Sequence, residues 1–143
     1  MFKAVSLILS GMVATKVMTD VMLNLPKVDM PEVDIPGVLG SKVNDDLPPP
    51  DHSPKWEGGE SMHYALGAFV FPLAYEWIFK SMLPGNSIAK GTLWGILLWS
   101  FSETVVMPAL GKGHIFHRKA VASGYLIGHL AYGAIFGFLA RSK

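Results

Sequence analysis

The sequence predicts an all-α fold: a transmembrane four-helix bundle made of two helical-hairpin repeats, with a long extended loop between spans one and two. Half of the 143 residues are hydrophobic and only 16% are charged, whereas roughly a quarter of the residues are charged in soluble domains. Four stretches are apolar over the length of about 20 residues that a membrane-spanning helix needs. Eight of the eleven acidic residues lie between positions 26 and 60, so the rest of the chain is more apolar than the average.

The composition also excludes several classes of protein. The chain has no cysteine, which excludes a disulfide scaffold, a cysteine metal site and a thiol enzyme. Its formal net charge of +1 leaves no basic surplus for binding nucleic acid. No nucleophile motif, phosphate-binding loop or dinucleotide fingerprint occurs. We therefore expect one integral membrane domain over residues 1–143 that is not an enzyme.

The predicted spans are residues 2–25, 60–83, 88–110 and 121–140. The first begins like a secretory signal, with Lys3 before an apolar run. That run continues past Ala14 to Leu25, which is too long for a signal core, so we expect an uncleaved span. Pro72 should kink the second span because it removes one backbone hydrogen bond and crowds the carbonyl of Ala68.

The loop over residues 26–59 is acidic and rich in proline. It opens with a doubled pentapeptide, PKVDM followed by PEVDI, and proline at every fifth position favours an extended, polyproline-like strap. Residues 37–43 could form one short turn at the membrane interface, where Trp56 would be an aromatic anchor. A strap of this kind suits contact with a partner. The residues expected to bind that partner are Pro26, Pro31, Pro36 and Trp56.

Spans two and four carry a related sequence. HYALGAFVFPLA begins at His63 and HLAYGAIFGFLA begins at His129, and six of the twelve positions are identical without a gap. This similarity predicts a duplicated hairpin, with two parallel repeats related by an axis along the membrane normal. At 1.5 Å per residue, Asp20, Glu103 and both histidines then lie within roughly 5 to 12 Å of the same membrane face.

Ionisable groups inside membrane spans usually face the protein interior and indicate a functional site. In the first hypothesis, His63 and His129 supply both axial nitrogens of a b-type haem. Gly67 and Gly133 follow them by four residues on the same helix face, where missing side chains would leave room for a porphyrin. The alternative is that these glycines only let the helices approach each other closely.

In the second hypothesis, one divalent metal ion is held by His63, His129, Asp20 and Glu103. Two nitrogens and two oxygens suit zinc, iron or manganese. Against this, Lys16 lies one turn before Asp20 and can form an intrahelical ion pair with it.

In the third hypothesis, Glu103 and His129 form a proton or small-ion pathway. Otherwise, the same polar groups only hydrogen-bond within the interior and hold the helices together.

Three segments carry a family resemblance: GILLW from Gly95, VVMPALG from Val105 and LIGHLAYG from Leu126. VAT from Val13 and VMT from Val17 add to it. Over most of its length outside the loop, the chain resembles a group of small bacterial four-span membrane proteins of unknown function. The resemblance implies a compact four-helix bundle and a bacterial origin but brings no activity. The strap departs from this group, which suggests an acquired partner.

The leading functional hypothesis is a non-catalytic accessory or structural subunit docked to a larger membrane complex. Its partners would be the lipid bilayer and other membrane-protein subunits or a second copy of the chain. The competing hypothesis is a haem- or metal-binding redox protein centred on His63 and His129. The expected location is the bacterial inner membrane. Basic residues are nearly balanced between the two faces, and the acidic loop favours both termini on the inside.

Overall fold

The computed structural model describes residues 2–41, 54–111 and 119–141. Within these ranges the chain is helical and contains no strand. Four long helices account for most of it. The first is α1 (Phe2–Leu23); the second joins α3 (Pro54–Ala65), a π turn (Leu66–Val70), α4 (Phe71–Ala74) and a π turn (Tyr75–Phe79). The third joins α5 (Ser87–Phe101), a π turn (Ser102–Val106) and α6 (Met107–Ala109), and the fourth is α7 (Lys119–Leu139).

The long helices lie where the apolar runs predicted them, with shifted ends. The second begins six residues before the predicted position 60 and ends at Phe79, four residues before position 83. The third begins after Asn86, whose side chain accepts a hydrogen bond from the backbone N–H of Ala89 at 3.0 Å, as an N-cap residue does. Two helices, Lys3–Leu23 and Lys119–Leu139, are long and apolar enough to cross a membrane.

Two of the three π turns in the described residues each precede a proline inside a long helix. The backbone N–H of Phe71 donates to the carbonyl of Leu66, five residues back, and Pro72 follows directly. The turn Ser102–Val106 stands in the same relation to Pro108. A proline ring clashes with the carbonyl four residues before it, and a wider turn relieves that clash. At Pro72, where a kink was predicted, the structure has a π turn, and Pro108 has an equivalent one.

Glycines bring the helices together in two matching pairs. A Cβ on Gly11 would lie 2.6 Å from the carbonyl oxygen of Gly67, and so the first and second helices meet backbone to backbone. A Cβ on Gly91 would overlap the carbonyl of Gly133, where the third and fourth helices meet. Gly67 and Gly133 are equivalent positions in the predicted repeat. Both glycines therefore have a packing role, and the duplicated hairpin stays a prediction.

The segment after the first helix folds back onto the protein, which corrects the expectation of an extended strap. A 3₁₀ turn covers Leu25–Val28, and α2 (Ile35–Gly40) follows. Asp34 caps α2 by accepting a hydrogen bond from the backbone N–H of Gly37 at 3.0 Å. Pro36 lies in the first turn of α2, where proline is tolerated. The predicted interfacial turn over 37–43 thus belongs to a helix that starts two residues earlier, and positions 42–43 lie outside the described residues.

The α2 helix packs tightly against α3. A Cβ on Gly59 would overlap the carbonyl oxygen of Pro36, and Ile35 is almost completely buried. The Nε1–H of Trp56 donates to both carboxylate oxygens of Asp34, at 3.1 and 3.2 Å. The loop therefore closes one end of the protein instead of lying free along a neighbour.

Large apolar side chains are exposed on the outer surface of all four long helices. Examples are Val5, Leu9, Val13, Phe69, Val70, Ile78, Ile96, Leu97, Phe101, Ile127, Phe138 and Leu139. Buried polar side chains lie inside, among them Thr15, Ser102 and two histidines. Most of the buried side chains are apolar as well, so apolar side chains lie both in the interior and on the outer surface.

Aromatic side chains fill the interior near the turn that joins the second and third helices. The rings of Phe79 and Trp94 are 4.7 Å apart, and Tyr75 packs edge-on against Phe136 at 5.2 Å. Glu76 at this end pairs with Lys80 at 2.9 Å and with Lys3 at 2.5 Å. This end is therefore closed by aromatic packing and an ion-pair cluster.

Candidate functional site

A small cavity lies among the four long helices at the end of the protein that carries α2. Its volume is about 40 Å³, counted as the space open to the centre of a water molecule. Every long helix contributes a polar side chain to its wall, and Ile35 and Leu39 of α2 close it. The polar lining residues are Thr15, His63, Ser102, Tyr125, His129 and Tyr132.

His129 is oriented within this wall by its own helix. Its side chain is 3% exposed, and its Nδ1 lies 3.0 Å from the backbone carbonyl oxygen of Tyr125, one turn earlier. Because a carbonyl can only accept, Nδ1 carries the proton and the lone pair of the neutral ring is on Nε2. The Tyr125 ring also packs edge-on against the imidazole at 4.4 Å. A histidine held in this way has the second-shell support typical of a metal ligand.

His63 faces the same cavity from the second helix. It is 7% exposed, and its Nε2 is buried with no hydrogen-bond partner among the described residues. An unsatisfied buried polar atom costs about 1 to 3 kcal/mol, so such an atom requires an explanation. Both histidines that the repeat paired therefore meet at one cavity, and one ring nitrogen there has an unused hydrogen-bonding capacity.

The hydroxyl of Tyr132 donates a hydrogen bond to a backbone carbonyl oxygen that has no donor within its own helix, the second. It donates to the carbonyl oxygen of Gly67 at 2.8 Å. In a regular helix that oxygen would accept from Phe71, but the Phe71 N–H bonds to Leu66 instead. The next residue, Pro72, has no N–H to offer. The hydroxyl of Tyr132 thus stabilises the π turn and connects the two predicted repeats.

Ser102, Tyr125 and Glu103 form the remaining polar group beside the cavity. The Tyr125 hydroxyl lies against Ser102 and within electrostatic range of Glu103. Glu103 itself does not line the cavity within the described part of the chain. The proton or small-ion pathway through Glu103 and His129 stays a prediction.

The expected four-ligand metal site is not assembled. Asp20 lies on the outer surface of the first helix and pairs with Lys16 at 2.5 Å, with side chains 52% and 62% exposed. Over residues 2–41, 54–111 and 119–141, no three His, Cys, Asp or Glu side chains are grouped so that they could hold a metal ion. Asp20 forms an ion pair with Lys16 and so does not reach the cavity. Of the four expected ligands, His63 and His129 line the cavity, and Asp20 and Glu103 do not.

The two glycines do not provide room for a porphyrin. A Cβ on Gly67 would overlap the hydroxyl oxygen of Thr15, and a Cβ on Gly133 would overlap the carbonyl oxygen of Gly91. Both positions are therefore occupied by helix packing. Pockets for drug-sized organic molecules measure roughly 300 to 1,000 Å³, whereas this cavity measures about 40 Å³. The histidine pair thus does not fit a haem in this arrangement.

The expected partner-binding residues divide into two groups. Pro36 and Trp56 are buried inside the protein, where Trp56 bonds to Asp34. Pro26 and Pro31 are exposed. Trp56 is therefore part of the fold and not the interfacial anchor that its position near a span predicted.

Two methionines were missed by sequence reasoning. Met18 of the first helix and Met107 of the third line the cavity beside the histidines, and both are buried. The spacing of Thr15, Met18 and Met22 places them on one helix face, which was the available signal. Methionine is so common as a core filler that this spacing alone does not indicate a site.

The comparisons with known proteins identify a family without a known activity. A family model described as "Family of unknown function (DUF6789)" matches residues 1–142. No curated protein and no solved structure matches the chain.

Proposed function

The chain belongs to this family of unknown function, and we propose that it is a four-span integral membrane protein that holds a metal ion without catalysing a reaction. The ion would bind between His63 and His129 in the cavity that the four long helices enclose. The observation that carries the proposal is this convergence of two buried imidazoles on one small cavity.

The exposed apolar surface supports four membrane spans. Apolar side chains face outward on every long helix, and exposed surface of this kind marks contact with lipid or protein. At 1.5 Å per residue, the second and third helices measure about 39 and 34 Å, enough for a hydrocarbon core of about 30 Å. The π turns interrupt both helices, but the residues that flank each turn keep right-handed helical backbone angles.

Labelling of introduced cysteines tests this topology, because the natural chain has no thiol. Lys27 and Ser81 are exposed near opposite ends of the long helices. With both termini inside a bacterial inner membrane, a membrane-impermeant maleimide should label Lys27→Cys in intact cells but label Ser81→Cys only after lysis. Val13→Cys, on the exposed apolar face, is the control and should stay unlabelled. Labelling of both loop positions in intact cells would contradict four spans.

The chemistry of the histidine pair supports a transition-metal ion. Neutral imidazole is the commonest metal ligand in proteins, and His129 presents its Nε2 lone pair because Nδ1 is bound to a carbonyl. The unused Nε2 of His63 would gain a partner from the ion. A single ion also fits a cavity of about 40 Å³. A large organic cofactor does not fit a cavity of this size.

Elemental analysis of the full chain in mild detergent tests metal holding. We expect one transition-metal ion per chain after exposure to metal and removal of excess. His63→Gln and His129→Gln should lose it, whereas Asp20→Asn should keep it because Asp20 lies outside the cavity. A folded native chain that retains no transition metal, or an Asp20→Asn variant that loses it, would refute the proposed site.

A second candidate function, an accessory subunit of a larger membrane complex, is favoured by one surface feature. Lys16 and Asp20 form an exposed ion pair on the outer face of the first helix, close to Glu60 and Tyr64. Charged groups facing lipid are unfavourable, and a second membrane protein covering them would remove that cost. Native extraction in mild detergent should then give a complex well above 15.5 kDa plus its micelle, and a lone monomer would contradict this function.

A further inference from the structure

We infer that the ion held in this cavity is monovalent copper, Cu(I), bound by the imidazoles of His63 and His129 together with the thioethers of Met18 and Met107. This inference rests on the proposed metal-holding function and specifies its ligand. The four side chains come from all four long helices and line one cavity. All four are buried, so the site is built into the fold and does not lie on the surface.

The type of donor atom points to copper. Thioether sulfur is a soft ligand that favours Cu(I), and imidazole also binds copper. Magnesium, calcium and manganese prefer carboxylate and carbonyl oxygen, and no carboxylate lines the cavity in the parts of the chain that the structure describes. The absence of cysteine from the sequence leaves methionine as the chain's soft ligand.

The charge of the ion points the same way. Two neutral imidazoles and two thioethers bring no negative charge, so the charge of a bound ion stays uncompensated in the cavity. The cost of moving an ion from water into an apolar medium is large and grows with the square of its charge. A monovalent ion therefore costs about a quarter of what a divalent ion of equal size costs in the Born description. Cu(I) meets this condition, whereas Zn²⁺ and Fe²⁺ do not.

The surrounding groups would hold this site in place. The Tyr125 carbonyl fixes the ring of His129, and the Tyr132 hydroxyl fixes the π turn that follows His63 in the second helix. Met18 lies beside Gly128 of the fourth helix, where an added Cβ would be 3.4 Å from its Cγ. The donors are thus positioned by contacts within and between helices, which lowers the cost of organising them around an ion.

An anaerobic titration of the full chain in detergent with Cu(I), in competition with a chromophoric Cu(I) chelator, tests the inference. We expect one Cu(I) per chain. The double variant Met18→Leu/Met107→Leu, which nearly conserves volume, should bind Cu(I) at least tenfold more weakly. The matched control Met62→Leu/Met82→Leu replaces two exposed methionines and should bind like the native chain.

X-ray absorption at the copper edge on the unmodified chain gives a second readout that does not depend on a variant folding. We expect sulfur and nitrogen scatterers together, and a site with only nitrogen and oxygen would overturn the inference. Equal Zn²⁺ and Cu(I) affinity, with no effect of the double methionine variant, would also overturn it while leaving the metal-holding function intact. A folded native chain that binds neither ion would remove both proposals.

Discussion

The hydrogen bond from Tyr132 to Gly67 gives a quantitative test of how the π turn is stabilised. Tyr132→Phe removes the hydroxyl that donates to the Gly67 carbonyl at 2.8 Å. That carbonyl has no donor in its own helix, because Phe71 bonds to Leu66 and Pro72 lacks an N–H. Leaving a buried acceptor unsatisfied costs about 1 to 3 kcal/mol, and hydrogen bonds measured in a membrane protein reach about 1.7 kcal/mol. We expect Tyr132→Phe to lower the free energy of unfolding by about 1 to 1.7 kcal/mol.

A double-mutant cycle with Pro72→Ala separates this cause from a general loss of packing. Alanine restores the backbone N–H at position 72 and removes the ring clash, which lets the second helix satisfy its own carbonyls. In the Pro72→Ala background, Tyr132→Phe should therefore cost less than about 0.5 kcal/mol, so the coupling energy would be about 0.5 to 1.7 kcal/mol. The control Tyr64→Phe should change stability by less than about 0.5 kcal/mol, as a half-exposed site does.

The assay is reversible unfolding of the purified chain in mixed micelles, followed by circular dichroism as the fraction of denaturing detergent rises. All four variants of the cycle are compared under the same conditions. An equal cost of Tyr132→Phe with proline or with alanine at position 72 would refute the account, because the hydroxyl would then act independently of the π turn.

Three further predictions use the same unfolding assay. Gly91→Ala should destabilise the chain by about 2 kcal/mol or more, because the added methyl overlaps the Gly133 carbonyl. The control Gly58→Ala, with open space around it, should be neutral or slightly stabilising. Equal effects of the two substitutions would contradict the close packing at Gly91. Asp34→Ala should cost about 1 to 2 kcal/mol through the lost cap of α2, with faster hydrogen exchange confined to α2, and unchanged exchange there would contradict the capping role. His63→Leu should stabilise the metal-free chain by about 1 kcal/mol because it removes an unsatisfied buried nitrogen, and a loss of stability would show that the imidazole is structural.

Sequence reasoning located the long helices because each coincides with a long apolar run, which favours a helix whose backbone groups pair internally. It also pointed to Pro72 as a place where the helix is irregular, and a π turn lies directly before it, since proline affects the helix that contains it. The meeting of His63 and His129 at one cavity followed from a repeat within the sequence. Each of these features depends on the local chain or on its own internal symmetry, and the structure has them where they were predicted.

The features that sequence reasoning missed depend on contacts between distant segments. The acidic strap was expected to stay extended. Instead, the Asp34 carboxylate accepts hydrogen bonds from the backbone at the start of α2 and from the indole of Trp56. Gly67 was compatible with either a porphyrin or helix packing, and only the position of Thr15 on another helix decides between them. Charge and residue size are visible in a sequence, whereas the partner that neutralises a charge or fills a space is not.

The polar atoms around the cavity differ in whether the fold already uses them, and that difference adds to the argument for a site. The hydroxyl of Tyr132 and Nδ1 of His129 each bond to a backbone carbonyl, so packing and helix geometry explain why they are there. Nε2 of His63 has no such bond among the described residues, and an apolar residue of similar size would avoid the cost of burying it. Natural proteins accept local destabilisation of this kind mainly where function requires it. The cavity beside His63 is therefore where a ligand should be sought first, and the histidine and methionine side chains around it determine which ligand to try.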